Sequence, residues 1–210
     1  MKIPDPSQPK TYFGNIVEVF CFNIHKMLRK PIIISIFLVL LSSYVNAPAY
    51  IFTVNKGSIS FRSDAPLELI KASTNQLKGI FNADKKQFAF AININSFKGF
   101  NSPLQQEHFN ENYLESDKYP RATFEGKIIE DIDFHSDGIY TVRAKGNLAI
   151  HGVVQERIIK CELNIKNGII SIKSNFTVSL EEHNITIPKV VHEKLASEIK
   201  VEVKVDLIDK

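Results

Sequence analysis

The chain has 210 residues, 44% of them hydrophobic and 23% charged, with 26 Lys and Arg against 23 Asp and Glu. The basic excess belongs to the N-terminus. Residues 1–49 hold five of the 26 basic and two of the 23 acidic residues, which leaves 21 of each from Tyr50 onward. A balanced charge gives no case for nucleic acid, which needs a basic patch, nor for a strongly ionic partner.

In chain order, Met27-Leu28-Arg29-Lys30 supplies a start residue and two positive charges. Ile32–Leu41 then reads IIISIFLVLL, and Ala47-Pro48-Ala49 places small residues at a cleavable spacing. That is the order of a secretory signal. A membrane-spanning helix wants about 20 apolar residues, and Ser42, Ser43 and Asn46 stop this run well short of that. The expected organisation is therefore residues 1–26 as an upstream mis-start or extended n-region, 27–49 as a signal peptide, and 50–210 as one domain without a membrane span. The expected location is the periplasm or outside the cell. One of the two cysteines, Cys21, falls outside that domain. Cys161 is left alone, so the fold cannot rely on an intrachain disulfide. It shares its strand parity with Ile159, Leu163 and Ile165, which marks a buried, inert thiol.

From Tyr50 the chain is written mostly in alternation. Tyr50–Val54 and Ser58–Arg62 read as a strand broken at Asn55-Lys56-Gly57. Leu67–Ala72 and Leu77–Phe81 are strand-like, with a kink at Ser73-Thr74-Asn75. A hairpin loop follows at Asn82–Lys86, then a strand over Gln87–Phe97. It sets Phe88, Phe90, Ile92 and Ile94 on one face against Ala89, Ala91, Asn93 and Asn95. Side chains of a strand alternate with a period of two, so such runs have one dry and one wet face.

Leu104–Ser116 changes period. Phe109 and Tyr113 stand four apart, as on one face of a short amphipathic helix, and Pro120 ends it. Strands then resume at Ala122–Ile129, Ile139–His151, Gln155–Ile165, Ile169–Leu180 and Ser197–Ile208. Asn167-Gly168 is the strongest hairpin signal. In the last strand Ile199, Val201, Val203, Val205 and Leu207 alternate with Lys200, Glu202, Lys204 and Asp206. Glu181–Ala196 reads as irregular with a helical turn.

The sum is all-β, about eight long one-sided antiparallel strands and one short helix. Closing such strands into a barrel hides their apolar faces and removes exposed edges. An eight-stranded barrel is either just filled by its side chains or holds one small ligand, and parity does not choose between these. No nucleophile elbow, phosphate loop or H-E-x-x-H spacing occurs, so no catalytic residue, metal ligand or cofactor is assigned.

At Glu107–Lys127, EHFNENYLESDKYPRATFEGK, an H/D-F beside a short helix runs into D-K-Y-P-x-A-T-F-x-G. This resembles the YceI-like family of exported proteins. Arg62–Ile70 (RSDAPLELI), Gly146–Val153 (GNLAIHGV) and His183–Pro188 (HNITIP) are similar to other pieces of that family, in the expected order. The resemblance implies an extended eight-stranded, lipocalin-like barrel, some of whose members hold a polyisoprenoid or isoprenoid quinone in an apolar tunnel.

It thereby makes an elongated apolar lipid of isoprenoid type the expected partner. The expected contact residues are the inward or loop aromatics Phe88, Phe90, Phe97, Phe100, Phe109, Tyr113, Phe124, Tyr140 and Phe176. Ile92, Ile94, Val142 and Ile172 join them, with His108 as a polar contact at the tunnel mouth. The alternative is a filled barrel acting through its surface as a non-enzymatic stress or interaction module. Nothing in the pattern sets an oligomeric state.

Overall fold

A computed structural model describes residues 50–210; the expected upstream segment and signal peptide, residues 1–49, lie outside the described residues. The strands are β1 (Ile51–Asp64), β2 (Leu69–Thr74), β3 (Lys78–Asn82), β4 (Gln87–Asn93), β5 (Arg121–Ile128), β6 (Gly138–Ile150), β7 (Val153–Lys166), β8 (Ile169–Ser179) and β9 (Glu198–Asp209). Each pairs antiparallel with its neighbours, and β1 pairs with β9, so the sheet closes on itself. Segments β2 and β3 both lie along β1 and form two halves of one barrel strand. The result is a closed eight-stranded antiparallel barrel with one short helix, as the alternation predicts.

The break expected at Asn55-Lys56-Gly57 is a bulge within one continuous strand. Register against β9 runs Val54↔Leu207 and then Lys56↔Asp206, with Asn55 extra. A bulged residue moves every later side chain to the other face. Inward positions are Phe52 and Val54 before it, then Ile59, Phe61 and Ser63. The partner strand switches parity too, from Ala72 and Thr74 in β2 to Leu77, just before β3, and Phe81 within it. Its interruption therefore falls at Asn75–Leu77, just beyond the expected kink. The strand expected over Gln87–Phe97 stops at Asn93, and Ile94–Ser96 make a 3-10 turn.

One end of the barrel carries short connections: Ala83–Lys86, residues 129–137 and the Asn167-Gly168 turn. Glycine suits that turn, since Gly168 sits at φ 75°. The opposite end carries the long ones, residues 94–120 and 180–197, with the 65–68 and 151–152 turns. Among the described residues no helix is long and apolar enough to cross a membrane.

Burial along single strands shows that the interior is not uniform. On β9, Leu207 and Val205 are fully enclosed, whereas Val203, Val201 and Ile199 on the same face are half-buried. On β8, Ile170 is fully enclosed and Ile172 and Phe176 are half-buried. The sequence parity predicts that Ile172, Phe176, Val201 and Val203 face an interior and are buried. They do face inward, but they border empty space.

Substitutions can read this gradient. Leu207→Ala is expected to cost about 2–5 kcal/mol. Phe176→Ala should cost less than about 3 kcal/mol, because its ring already lacks neighbours on one side. Lys173→Ala, on the wet face, should stay within about 0.5 kcal/mol. Urea titrations measure all three, and equal losses would contradict the register.

Candidate functional site: an apolar cavity under a helical lid

The half-buried inward residues surround a cavity. The space open to the centres of water molecules amounts to about 270 Å³, many times the ~10–15 Å³ that one water needs. Its walls come from every barrel strand, and among the described residues no charged side chain lines it. The polar lining residues are largely bonded elsewhere. Ser63 Oγ accepts from the Ala196 amide at 2.9 Å, and Ser174 Oγ donates to the Lys160 carbonyl at 2.8 Å. The Gln105 amide donates to Glu68 Oε1 at 2.9 Å and accepts from the Asn101 amide at 3.0 Å. Thr123 has the parity opposite to inward Ala122 and Phe124. What remains is a hydrocarbon surface.

The floor is a plug of Phe52, Phe134, Val142, Ile165 and Leu207, all buried. Phe81 joins it to the cavity wall, edge-on to Phe134 at 4.8 Å between ring centres. The cavity is therefore closed at the end with short turns, and its cover is built from the long connections.

The first cover is helical. Ser102 caps α1 (Pro103–His108) by accepting from the Gln105 amide, with proline at the first turn where its missing N–H costs nothing. The helix then widens into a π-helical turn, Phe109–Tyr113, closed by Leu114 N–H donating to the Phe109 carbonyl at 2.9 Å. Such widenings recur at functional sites. This one brings Phe109, Tyr113 and Leu114 to the cavity together.

Four phenylalanines form the underside of the lid. Phe109 stacks on Phe61 of β1 at 5.3 Å and meets Phe97 at 5.8 Å and Phe100 at 5.1 Å. Such aromatic pairs add about 0.5–1.5 kcal/mol each beyond burial. Backbone pairing of Ser73 with Lys98 ties the lid's leading segment to β2.

The second cover is the 180–197 connection, which turns Leu180, Ile185 and Leu195 into the cavity beside Ile94 and Leu114. His151 links the two covers from the β6–β7 turn. Its Nε2 lies 2.8 Å from Glu115 Oε2 and its Nδ1 3.1 Å from the His183 carbonyl. Neighbouring Gly152 sits at φ 73° with Tyr119 packed against it, so a side chain would meet both strain and the ring. His183 is fully buried and donates from Nδ1 to the Val153 carbonyl at 3.3 Å, leaving Nε2 without a partner among the described residues. Burial pushes its pKa down, so the ring is held neutral. Burial pushes the Cys161 thiol up, which keeps it protonated and unreactive.

Eleven of the sequence candidates lie on the cavity wall: Phe88, Phe90, Ile92, Ile94, Phe97, Phe100, Phe109, Tyr113, Phe124, Ile172 and Phe176. Three do not. Val142 and Tyr140 share the inward parity, but β6 begins at the closed end, so Val142 is in the floor and Tyr140 packs against that core over Gly138. His108 is exposed on the outer side of the lid, and Gln105 and Phe109 take the inward positions. Sequence reasoning missed Phe61, whose signal is the Ile59, Phe61, Ser63 alternation after the bulge. It also missed Leu114, in the helical segment but outside the Phe109/Tyr113 spacing, and Ile185 and Leu195, which lie in a segment with no period to read. Among the described residues no group of His, Cys, Asp or Glu is placed to hold a metal ion.

A model of the YceI-like domain matches residues 50–207. Among solved structures, the chain is similar to a polyisoprenoid binding domain from Saccharophagus degradans implicated in plant cell wall breakdown. The TM-score is 0.65 at 12% identity, over 76% of this chain and 98% of that one. It is also similar to BcnA of Burkholderia cenocepacia, with TM-score 0.60 at 13% identity, over 71% of this chain and 95% of that one. Comparison with curated proteins finds no match.

The buried imidazole gives the mouth a pH dependence. The fold holds His183 neutral, so the unfolded chain takes up a proton first. Stability from this group is present above imidazole's ordinary value of about 6.5 and is lost as pH falls below it, until the folded ring titrates. Melting temperature is expected to drop from pH 7.5 to pH 5, and less so in His183→Gln. An equal drop in both proteins would assign the acid sensitivity elsewhere.

Proposed function

The chain belongs to the YceI-like domain family, and on that premise we propose that it binds or carries an elongated apolar lipid of the isoprenoid class, exported to the periplasm or beyond the cell. The observation that carries the binding reading is the cavity itself: deep, closed at one end, lined almost wholly by hydrocarbon and covered by a lid of aromatic side chains. A barrel acting through its surface alone has no use for such a hollow. The domain of Saccharophagus degradans with the same fold is a polyisoprenoid binding domain, which favours an isoprenoid over other long chains.

Binding rests on burial. Each methylene-sized group moved from water to the wall contributes about 0.8 kcal/mol, less the cost of ordering a flexible chain. A branched prenyl chain loses less freedom than a straight acyl chain and presents methyl groups to the Phe88, Phe90 and Phe124 cluster, whose rings lie 4.9–5.9 Å apart. Gly79 opposite Phe90 leaves room for that ring, since a side chain there would collide with it. Because the floor is sealed, the chain enters tail first and its head stays by the lid. No step in this role requires a catalytic group. The export reading is supported by Met27–Lys30, the apolar run Ile32–Leu41 and Ala47-Pro48-Ala49.

Phe109 meets three other aromatic rings from the helical part of the lid, and its removal should open the mouth. In Phe109→Ala, release of a fluorescent polyprenyl analogue is expected to accelerate at least tenfold while the melting temperature falls by only a few degrees. Unchanged release with a collapsed melting temperature would make the lid simply part of the core. Export is tested separately: expressed from Met27, the protein should be recovered outside the cytoplasm with its N-terminus near Tyr50. An uncleaved species held in the membrane as the main product would overturn it.

A further inference from the structure

The barrel wall is not laddered all the way to the mouth. Register between β7 and β8 runs from Lys166↔Ile169 to Cys161↔Ser174 and stops there, although β7 extends to Val153 and β8 to Ser179. Above that pair, no backbone bond joins the two strands among the described residues. Their other neighbours, β6 and β9, stay paired with them over the same stretch. The mouth therefore continues down the wall as a slot between Val153–Lys160 and Asn175–Ser179. The cavity lies behind it, since Ile159 and Cys161 on one side and Phe176 and Val178 on the other line that space. Outside, Val154 and Ile158 are exposed on the wet face of β7, so apolar surface flanks the slot on both faces of the wall.

Side chains close the slot where the ladder does not. The inward series of β7 is apolar from Ile159 to Ile165 but changes above it to Gln155 and Arg157. Arg157 reaches across, donating from Nη2 to the Thr177 carbonyl at 2.9 Å and from Nη1 to Glu182 Oε2 at 2.7 Å. Gln155 donates to the Glu182 carbonyl at 2.7 Å. At the lower corner Ser174 Oγ donates to the Lys160 carbonyl. A strand ladder parts only when several backbone bonds break together. The strap parts more easily, because the Arg157 and Glu182 side chains are 26% and 50% exposed, and water replaces an ion pair at that exposure at little cost. We propose that the β7–β8 slot is a lateral gate strapped by Arg157, through which an elongated ligand enters and leaves the cavity sideways. This rests on the lipid-binding reading and adds the route and the residue that controls it. A chain sliding through a slot open at its upper end need not be threaded end-on beneath the lid.

The test follows release of a fluorescent polyprenyl analogue into excess phosphatidylcholine vesicles. Ile158→Cys with Thr177→Cys puts one exposed thiol on each edge of the slot, and bismaleimidoethane ties the two together; the native Cys161 is buried away from the reagent. The bridged protein should release the analogue roughly fivefold more slowly than the same protein unbridged, because the gate opening that limits release is blocked. Each single-cysteine variant carrying the reagent should keep its own untreated rate. Arg157→Met, which keeps the length of the side chain without its bonds, should release about tenfold faster. Arg157→Lys keeps the charge but not the two-pronged reach and should fall between. Release unchanged by the bridge would overturn the gate and leave the lid as the route, whether or not Arg157→Met folds. Equal slowing in a single-cysteine adduct would overturn it as well, by assigning the effect to added bulk. Failure of wild type to take up the analogue would instead remove the lipid-binding reading itself, and the gate with it.

Discussion

Pairing of the first strand with the last is the constraint on which the rest depends. From Phe52↔Asp209 to Arg62↔Lys200, β1 and β9 hydrogen-bond over almost their whole length. That joins chain ends about 150 residues apart, so the loop-closure entropy is met by one long ladder rather than by scattered contacts. Once it forms, neither terminal strand keeps a free edge, and the inward side chains are committed to one enclosed space. The bulge at Asn55 lets β1 serve both ends of that space, with Phe52 and Val54 in the plug and Ile59 and Phe61 in the cavity wall.

Enclosure alone does not make a hollow. The closed end is packed solid by Phe52, Phe134, Val142, Ile165 and Leu207. Above it the inward positions hold Val201, Val203 and Ile172, half-buried side chains that border the cavity together with Phe88, Phe90 and Phe124. The void is then covered by the long connections. The Phe61, Phe97, Phe100 and Phe109 cluster closes one side and the Leu180–Ile185 turn the other, with His151 bridging Glu115 and the His183 carbonyl between them. Solid floor, hollow middle and tethered lid form one gradient from fixed to displaceable structure. Elements that must move for a ligand to pass are those with the fewest buried contacts.

The fold was legible in the sequence wherever period two ran unbroken. Residues 169–180 and 197–208 differ from β8 and β9 by at most one residue at an end, and the Asn167-Gly168 turn joins β7 to β8 as its composition implies. It was less legible where parity switched. The Asn55 bulge looks like a break because an extra residue reverses the alternation without ending the strand, and the same reversal hid Phe61. Parity names which side chains face in but not their depth, so Tyr140 and Val142 could not be told from Phe88 and Phe90. His108 failed for a different reason: helix and π-turn differ in how they set residues around the axis, and the widening at Phe109 fixes which side faces the cavity. Contacts from the 180–197 connection, Ile185 and Leu195, have no periodic signal and follow from tertiary packing alone.

The central claim, that the hollow is there to hold a prenyl chain, is tested most directly on protein purified from its own host without added lipid. Native mass spectrometry followed by solvent extraction gives the mass of whatever the barrel carries. The account predicts a reproducible one-to-one adduct that extracts as an isoprenoid. Recovery of the bare chain alone, or of phospholipids in the proportions of the surrounding membrane, would contradict it.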